Sequence, residues 1–353
     1  MHPPSVDPPL ARLCRAFFLL LTLTAGSAMT AELPPIVDDR LPHFTPAPLA
    51  LPKGASYQAA DGAIRIVGYN DMHGILERIN SLFQRAHPQL EFEMILKGTR
   101  TAPDALARGA SLLAPMGAEF SEAELADYTK RTGTEPVMFR VAHDSVNPAA
   151  LSAPLAIFVE QRNPLARISM QQVARVFTMA PDGKDVATWG QLGLGGEWAS
   201  RPIHRCGLAP STALGRFMQR RLGGGSFVEG FDGFPQSREA VACVAADPLA
   251  IGFAAMNRGV PGVRAVPLSE RDGDEPSTGS REDIMSNRYP LDRYLLIYVR
   301  TDSQRRIDPV AREYLRLVLS YEGQREIASQ ALGYLPLNAR ECAEELRRLS
   351  TLK

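Results

Sequence analysis

Two short segments of the chain combine glycine, hydroxyl and amide groups at points where a predicted strand gives way to a predicted helix. The residues of these segments that offer side-chain or backbone donors are Asn70, Asp71, Met72, Thr99, Arg100 and Thr101. Backbone N–H groups at a helix start are unpaired, and together with the helix dipole they favour a bound anion. The hydroxyls of Thr99 and Thr101 add further donors. The segments predict either an anion site or plain helix N-caps, and the sequence supports both interpretations equally.

The sequence lacks the motifs of common catalytic and metal centres. It contains no GxSxG elbow, no HExxH pair and no phosphate-binding P-loop. Its 6 histidines are scattered, and none is paired at the spacing of metal ligands. With 39 basic and 39 acidic residues the formal net charge is zero, which leaves no basic field for nucleic acid. We therefore expect a binding protein without a catalytic residue, cofactor, metal or nucleic-acid partner.

Residues 1–31 have the layout of a secretory signal peptide. Arg12 and Arg15 precede a short apolar run, and small residues follow it. The run is too short for a transmembrane helix, which takes roughly 20 apolar residues. Cleavage after Ala28 or after Ala31 fits the pattern. We expect the mature chain to be soluble and either periplasmic or secreted.

Three cysteines remain once the predicted signal peptide has been removed, namely Cys206, Cys243 and Cys342. An odd number permits at most one disulfide within the chain. An oxidising compartment would allow a bridge between Cys206 and Cys243. Two free buried thiols are an equally good interpretation.

The proline-rich stretch 32–62 shows no periodicity and predicts an extended leader on the surface, or a spacer. The folded part is expected to begin at Ala63, after which strands and helices alternate. Ser121 and Ser169 each stand three residues before a Glu or Gln, which predicts a capping box for two of the helices. The β-then-α order predicts an α/β fold with a mainly parallel sheet covered by helices. Ligands of such sheets bind outside the carboxyl ends of the strands, where the two donor-rich segments lie.

Five further segments stand out by their order and spacing: Lys97-Gly98-Thr99-Arg100-Thr101-Ala102-Pro103, Ala114-Pro115-Met116-Gly117, Ala250-Ile251-Gly252-Phe253, Tyr321-Glu322-Gly323-Gln324 and Gly333-Tyr334-Leu335-Pro336-Leu337. Together they resemble segments of the phosphate-binding periplasmic receptors of ABC transporters. The resemblance extends over roughly residues 63–340.

The resemblance implies the type II periplasmic-binding-protein fold, in which two α/β lobes are joined by a two-crossover hinge. One lobe would contain 63–154 and 291–353 and the other 155–290, with crossovers near 153–158 and 289–297. The implied function is capture of phosphate or a related oxyanion in the cleft between the lobes, for an ABC importer. The implied partner is an ABC permease in the inner membrane, and the expected state is a monomer.

The same resemblance assigns ligand-binding residues to strand ends in both lobes. They are Asn70, Asp71, Met72, Thr99, Arg100, Thr101, Gly117, Arg205, Ser211 and Thr212. Thr101 matches the threonine of the family's first anion-binding loop, and Arg205 matches the arginine of its anion site.

Four positions depart from the family pattern. Arg100 stands where a serine is usual, and Gly117 lacks the hydroxyl of the family's Pro-Met-Ser segment. Leu112 stands where many members have an acidic or amide residue, and Pro210 has no backbone N–H to donate. A site with fewer donors compensates less well for the desolvation of a buried anion. Three hypotheses follow: weak phosphate binding, binding of another anionic solute, or a non-transport sensor or scaffold that has kept the fold.

Overall fold

The computed structural model of this chain describes residues 1–2, 37–51, 54–179 and 185–353. Nearly all of the predicted signal peptide therefore lies outside the described residues. The chain divides into two compact units, 1–34 and 35–353, and every element described below belongs to the second. No helix in the described part is both long and apolar enough to cross a membrane.

The described residues form short strands separated by helices over most of the second unit. The strands are β1 (Ile64–Val67), β2 (Phe92–Ile95), β3 (Ala114–Met116), β4 (Val137–Ser145), β5 (Leu155–Glu160), β6 (Ile168–Ser169), β7 (His204–Leu208), β8 (Phe231–Phe234), β9 (Ala250–Ala255), β10 (Val263–Ala265), β11 (Leu268–Ser269), β12 (Tyr294–Val299) and β13 (Tyr334–Leu335). The helices are α1 (His73–Ala86), α2 (Ala102–Ala107), α3 (Glu122–Thr132), α4 (Met170–Phe177), α5 (Ala213–Arg221), α6 (Ser237–Ala246), α7 (Arg281–Met285), α8 (Pro309–Val318), α9 (Tyr321–Ala328) and α10 (Ala339–Ser350). Ser121 and Ser169 form the predicted capping boxes at α3 and α4.

The strands form two larger sheets and two strand pairs. The five-stranded sheet has the order β10-β5-β9-β7-β8, in which β7 is parallel to β8 and β9 while β5 is antiparallel to β9 and β10. The four-stranded sheet has the order β13-β4-β12-β3 and is antiparallel throughout. The pairs β1-β2 and β6-β11 are parallel. The α/β class is confirmed, but the expectation of a mainly parallel sheet is wrong. Alternation of strands and helices along the sequence does not reveal that β12 returns to run against β3 and β4.

The chain passes from the four-stranded sheet to the five-stranded sheet after β4 and returns before β12. The two connections lie side by side: the Leu155 N–H donates to the Leu291 carbonyl at 3.0 Å. The Tyr289 hydroxyl donates to the Leu155 carbonyl at 2.8 Å. Both sheets are therefore joined through one adjacent pair of backbone segments.

Two large apolar clusters support the two sheets. The cluster of the four-stranded sheet contains the fully buried rings of Phe83 and Tyr314, which lie 5.4 Å apart between centroids. The cluster of the five-stranded sheet contains the buried rings of Trp189 and Phe253. Each sheet thus has a core of its own, as its helices require for burial of their apolar faces.

Residues 38–47 lie across helices α8 and α9, and we call them the N-terminal strap. Leu41 is only 3% exposed, and the Pro42 carbonyl accepts from the Tyr321 N–H at 2.9 Å. Glu322 accepts from the Phe44 N–H at 2.8 Å. The expectation that the folded part begins at Ala63 is therefore wrong, because the few N–H groups of this proline-rich stretch pair with helix carboxylates.

A disulfide joins Cys206 of β7 to Cys243 of α6, with a Cα–Cα distance of 6.3 Å. It fastens α6 to one face of the five-stranded sheet. Cys342 of α10 is buried and free. Of the two interpretations of Cys206 and Cys243, the structure contains the bridge.

Candidate functional site

The ends of β1, β2 and β3 lie next to one another, as expected for strand ends that form one site. The Gly98 N–H donates to the Gly68 carbonyl at 3.0 Å, which joins the turns after β2 and β1. The Tyr69 N–H donates to the Pro115 carbonyl at 3.0 Å, which joins the turn after β1 to β3. The structure therefore brings together the predicted residues 70–72, 99–101 and Gly117.

The 3-10 turn Asn70–Met72 divides its three predicted ligands between different environments. Asn70 is exposed, whereas Met72 is fully buried in the core. The Met72 N–H donates to the Tyr69 carbonyl at 3.3 Å. The geometry of Met72 does not support its prediction as a ligand, because its side chain packs in the core and its amide closes the turn.

Asp71 accepts hydrogen bonds from other groups of the chain. Its Oδ2 accepts from the Leu151 N–H at 2.9 Å and from the Tyr334 hydroxyl. An anion would have no reason to approach this carboxylate unless it carried a proton of its own to donate. Both of these hydrogen bonds go to Oδ2, so Asp71 Oδ1 can accept the proton of a protonated oxyanion.

Gly117 lies against the phenol ring of Tyr69. A Cβ at position 117 would overlap the Tyr69 ring and would lie 2.7 Å from Ser152 Oγ. The Tyr69 hydroxyl is 3.1 Å from Ser152 Oγ. The Ser152 hydroxyl donates to the Gly117 carbonyl at 3.3 Å. The space that a serine side chain would fill at position 117 is thus filled by a tyrosine that is itself buried.

Arg293 lies beneath this tyrosine network and is almost fully buried. Its Nη1 donates to Asp144 Oδ2 at 2.9 Å and to the Ala153 carbonyl at 3.1 Å. Its Nη2 donates to the Gly117 carbonyl at 2.7 Å. Burial raises the pKa of Asp144 to about 7 although Arg293 acts in the opposite direction. Among the described residues nothing pairs with Asp144 Oδ1, so this buried acid keeps one free acceptor.

A second buried ionic cluster adjoins the first through neighbouring residues. His143, which is 0% exposed, lies between two carboxylates. Its Nδ1 is 2.6 Å from Asp292 Oδ2, and its Nε2 is 3.0 Å from Glu341 Oε2. Burial opposes protonation of His143, but the hydrogen bonds to Asp292 and Glu341 prevail and raise its pKa to about 9. The two connections between the sheets are therefore flanked by buried charge.

The turn Thr99–Thr101 divides its predicted ligands in the same way as the first turn. Thr101 Oγ1 donates to the Gly98 carbonyl at 2.8 Å, so this hydroxyl caps its own turn. Arg100 is exposed and borders a groove of about 510 Å³ between α2 and α3, together with Asp104. The side chain of Arg100 thus borders the groove between α2 and α3 and does not lie against Gly117. Thr99 is partly exposed, so its hydroxyl can donate to a ligand.

Arg205 does not join the other predicted ligands. Its Nε donates to the Val176 carbonyl at 2.6 Å, and its Nη2 donates to the Val186 carbonyl at 2.9 Å. Burial lowers the pKa of Arg205, and Asp185 acts against this effect. The geometry gives no support to Arg205 as an anion ligand, because a cation is favoured by the carbonyls at the end of α4.

Thr212 and Ser211 stand at the exposed start of α5. Thr212 is the N-cap, and its Oγ1 accepts from the Gly215 N–H at 2.9 Å. Ser211 is exposed, and its carbonyl accepts from Arg216 Nη1 at 2.7 Å. Two contacts place the far end of α5 beside the β3 side of the site: an ion pair of 2.5 Å between Arg220 and Glu119, and Arg293 at 5.5 Å from the Phe217 ring centroid.

A cavity of about 580 Å³ opens beside Phe217 and Arg293 and is lined by residues of β4, β12 and α5, among others. Its cations are already partnered, since Arg140 contacts Glu344 at 2.9 Å and Arg221 contacts Glu270 at 2.8 Å. None of the ten predicted ligand residues is among the described residues that line it. The cavity is therefore separate from the predicted anion site.

The sequence alone did not identify Tyr69, Ser152, Tyr334, Asp144 and Arg293 as parts of this site. No sequence pattern marks Tyr69 and Ser152 as site residues, because their role depends on their contact with Gly117. A usable signal was the charge that flanks each connection: His143 with Asp144 before the first, and Asp292 with Arg293 in the second. Charged pairs at the edges of apolar strands seldom become buried unless they are partnered.

Comparisons with known proteins agree with this fold. No family model matches the chain. The chain is 28% identical over 333 residues to the Phosphate-binding protein PstS of Pseudomonas aeruginosa strain PAO1, covering 93% of this chain and 97% of that protein. The PstS of Pseudomonas aeruginosa strain UCBPP-PA14 matches equally well.

Solved structures with the same fold include an ABC-type phosphate transport receptor from Vibrio cholerae and PstS from Borrelia burgdorferi. The first has a TM-score of 0.50 at 18% identity, with 77% of this chain and 99% of that chain covered. The second has a TM-score of 0.50 at 14% identity, with 78% and 99% covered. Along nearly its whole length this chain is therefore similar in sequence to phosphate-binding proteins, and it has the fold of solved phosphate transport receptors.

Proposed function

We propose that this chain is exported to the periplasm and captures phosphate or a related oxyanion for an ABC importer. The observation that carries the proposal is the match to a phosphate-binding protein over 97% of that protein's length. A match of this extent includes both sheets and both connections between them. The N-terminal export signal seen in the sequence supports the periplasmic location.

The proposed mechanism is closure of two lobes around the ion. The lobes are 63–154 with 291–353, and 155–290, and the two adjacent connections between the sheets serve as the hinge. An ion that contacts both lobes favours the closed state by the difference between its affinities for the closed and open states. An inner-membrane permease would then recognise the closed form of a monomeric receptor.

The proposed ligand groups are the Thr99 hydroxyl and the first amides of its turn on one side and the start of α5 on the other. The Tyr69 hydroxyl lies where it can replace the serine hydroxyl that position 117 lacks. For that role the phenol has to leave Ser152 and turn toward the cleft. Such a rearrangement costs free energy, so we expect a lower affinity than for a site whose hydroxyl is already free.

The test is a thermal-shift panel of the mature protein with phosphate, sulfate, phosphonates and small carboxylates. A ligand at 100 times its dissociation constant should stabilise the fold by about 2.7 kcal/mol. A shift by phosphate that persists in excess sulfate supports the proposal. A folded protein whose melting is unchanged by every anion would exclude anion capture.

A second candidate function is a non-transport sensor or envelope scaffold that keeps the fold. The observation that favours it is the buried Tyr69 ring at Gly117, which closes one half of the predicted site. The panel distinguishes the two functions, because the scaffold requires no anion. Cross-linking in intact cells would then identify the partner of the scaffold.

A further inference from the structure

Four residues that can ligate metal ions converge on one face of the five-stranded sheet. His204 and Cys206 alternate along β7 and therefore point to the same side. Asp232 pairs with Cys206 across β7 and β8, and Cys243 comes from α6, which covers this face. The four side chains thus come from three separate elements of the fold.

The ligating atoms of His204, Cys206 and Cys243 all lie within 4.8 Å of one another, which is close enough to share one ion. His204 Nε2 is 3.9 Å from Cys206 Sγ, 4.0 Å from Cys243 Sγ and 2.8 Å from Asp232 Oδ2. In a tetrahedral zinc site the Zn–S bond is about 2.3 Å and the Zn–N bond about 2.0 Å, so sulfur and nitrogen lie about 3.5 Å apart. The nitrogen-to-sulfur distances here exceed that value by about half an ångström, which side-chain rotation can close.

Asp247 holds the imidazole in the orientation that such a site needs. Its Oδ2 is 2.8 Å from His204 Nδ1, which leaves Nε2 directed at the two sulfurs. A carboxylate on the far nitrogen of a ligating histidine fixes the tautomer and raises the basicity of the ligand. The side chain of His204 is 34% exposed, so an ion can enter from solvent.

We propose that, when its disulfide is reduced, the chain binds a thiophilic cation such as Zn²⁺ through Cys206, Cys243 and His204. A dithiol reductant supplies two electrons and two protons, which convert the disulfide to two thiols while the reductant becomes a disulfide. The cation then displaces both thiol protons and forms two metal–sulfur bonds. In the oxidised chain the two sulfurs are bonded to each other in the disulfide and do not form bonds to a metal. The redox state of this disulfide therefore controls the site.

This site does not depend on the proposed anion capture. Arg205, between the two β7 ligands, points to the opposite face and contacts the Val176 carbonyl. The panel of anions therefore tests one proposal, and metal binding tests the other. Either can fail alone.

The experiment uses Co²⁺ as an optical probe of the whole chain, reduced with a phosphine that does not bind the metal. The reduced chain should show the intense thiolate-to-cobalt absorption that only Cys ligation produces, and the oxidised chain should not. Zn²⁺ should abolish the absorption by displacement. Absence of the absorption in the reduced, folded chain, or its presence in the oxidised chain, would overturn the proposal.

The variants include a matched control for the third cysteine. Cys206→Ser should remove the absorption, whereas Cys342→Ser, which changes a buried free thiol in another cluster, should leave it unchanged. The opposite result would assign the metal to Cys342 and overturn the proposal.

The remaining variants keep both cysteines, so they are informative even if the cysteine variant does not fold. His204→Gln should lower the affinity for Co²⁺ at least tenfold, and Asp247→Asn about 10- to 100-fold through the orientation of the ring. Unchanged affinity in His204→Gln, with near-UV circular dichroism matching the parent, would overturn the proposal.

Discussion

The two halves of the predicted anion site differ in how far their polar groups are already satisfied. At the four-stranded sheet, Tyr69, Asp71 and Gly117 contact Ser152, Tyr334 and Arg293. That half is buried and its donors and acceptors are largely used. At the start of α5, Ser211 and Ala213 are exposed, and Thr212 Oγ1 caps the Gly215 N–H. The difference indicates that a ligand gains binding energy at α5 and has to displace existing hydrogen bonds at the other half.

The largest expected effect comes from the buried cation of the closed half. Arg293→Met should reduce the free energy of unfolding by about 3–5 kcal/mol, because it leaves Asp144 buried without its partner and removes one of the two donors to the Gly117 carbonyl. Urea denaturation measures the change. The matched control is Arg220→Met on α5, whose ion pair with Glu119 is exposed and should contribute about 0.2–1 kcal/mol. Equal effects of the two substitutions would contradict the contrast between the halves.

The filled space beside Gly117 gives the second prediction. Gly117→Ser should destabilise the chain by about 1–3 kcal/mol, because the new side chain overlaps the Tyr69 ring. In a Tyr69→Ser background the same substitution should cost much less, since the ring is absent. A double-mutant cycle on the free energy of unfolding measures this coupling. Additive effects would mean that Tyr69 does not occupy the space.

Protonation of His143 gives the third prediction. Folding raises its pKa from 6.5 to about 9, so the proton is bound more tightly in the folded chain. The resulting stabilisation is complete below pH 6.5 and is lost as the pH rises through about 9. We expect a loss of about 2 kcal/mol between pH 7 and pH 9.

Urea denaturation at several pH values measures the His143 contribution, and His143→Gln should flatten the profile over this interval. His73→Gln is a suitable control, since His73 is exposed at the start of α1. A profile that is identical in His143→Gln and in the parent would refute the assignment.

The smallest effect is expected at the open half. Thr212→Ala removes the N-cap of α5 and should cost about 1 kcal/mol. Ser211→Ala changes an exposed hydroxyl and should stay within about 0.5 kcal/mol. If the start of α5 binds an anion, Ser211→Ala should nevertheless weaken phosphate binding, which isothermal titration would detect. A larger loss of stability in Ser211→Ala than in Thr212→Ala would show that this half is not open.

Local features of the molecule could be predicted from the sequence because they depend on near neighbours. The capping boxes at Ser121 and Ser169 involve residues three positions apart, and both are present. The adjacency of the turns after β1 and β2 follows from the parallel pairing of two successive strands. Strand direction in the four-stranded sheet could not be predicted, because β12 reaches β3 and β4 only after the chain has crossed the other sheet.

The side-chain environments of the site could not be predicted from residue types. Arg205 matches the family arginine, yet the carbonyls of Val176 and Val186 hold it on another face. Gly117 was interpreted as a lost hydroxyl, whereas the structure shows that the Tyr69 ring occupies the space of the missing side chain. Both outcomes depend on contacts between residues that are far apart in sequence.

The N-terminal strap has a consequence for the order in which the chain acquires its structure. Its His43 contacts Glu322 at 2.8 Å across a sequence separation of 279 residues. Those N-terminal residues are synthesised early, but their partners on α8 and α9 are among the last to appear. Contacts of such long range also carry a high loop-closure entropy. Docking of the strap is therefore a late event in folding, and until it occurs the carboxylates of Glu313 and Glu322 lack the backbone donors that the strap supplies.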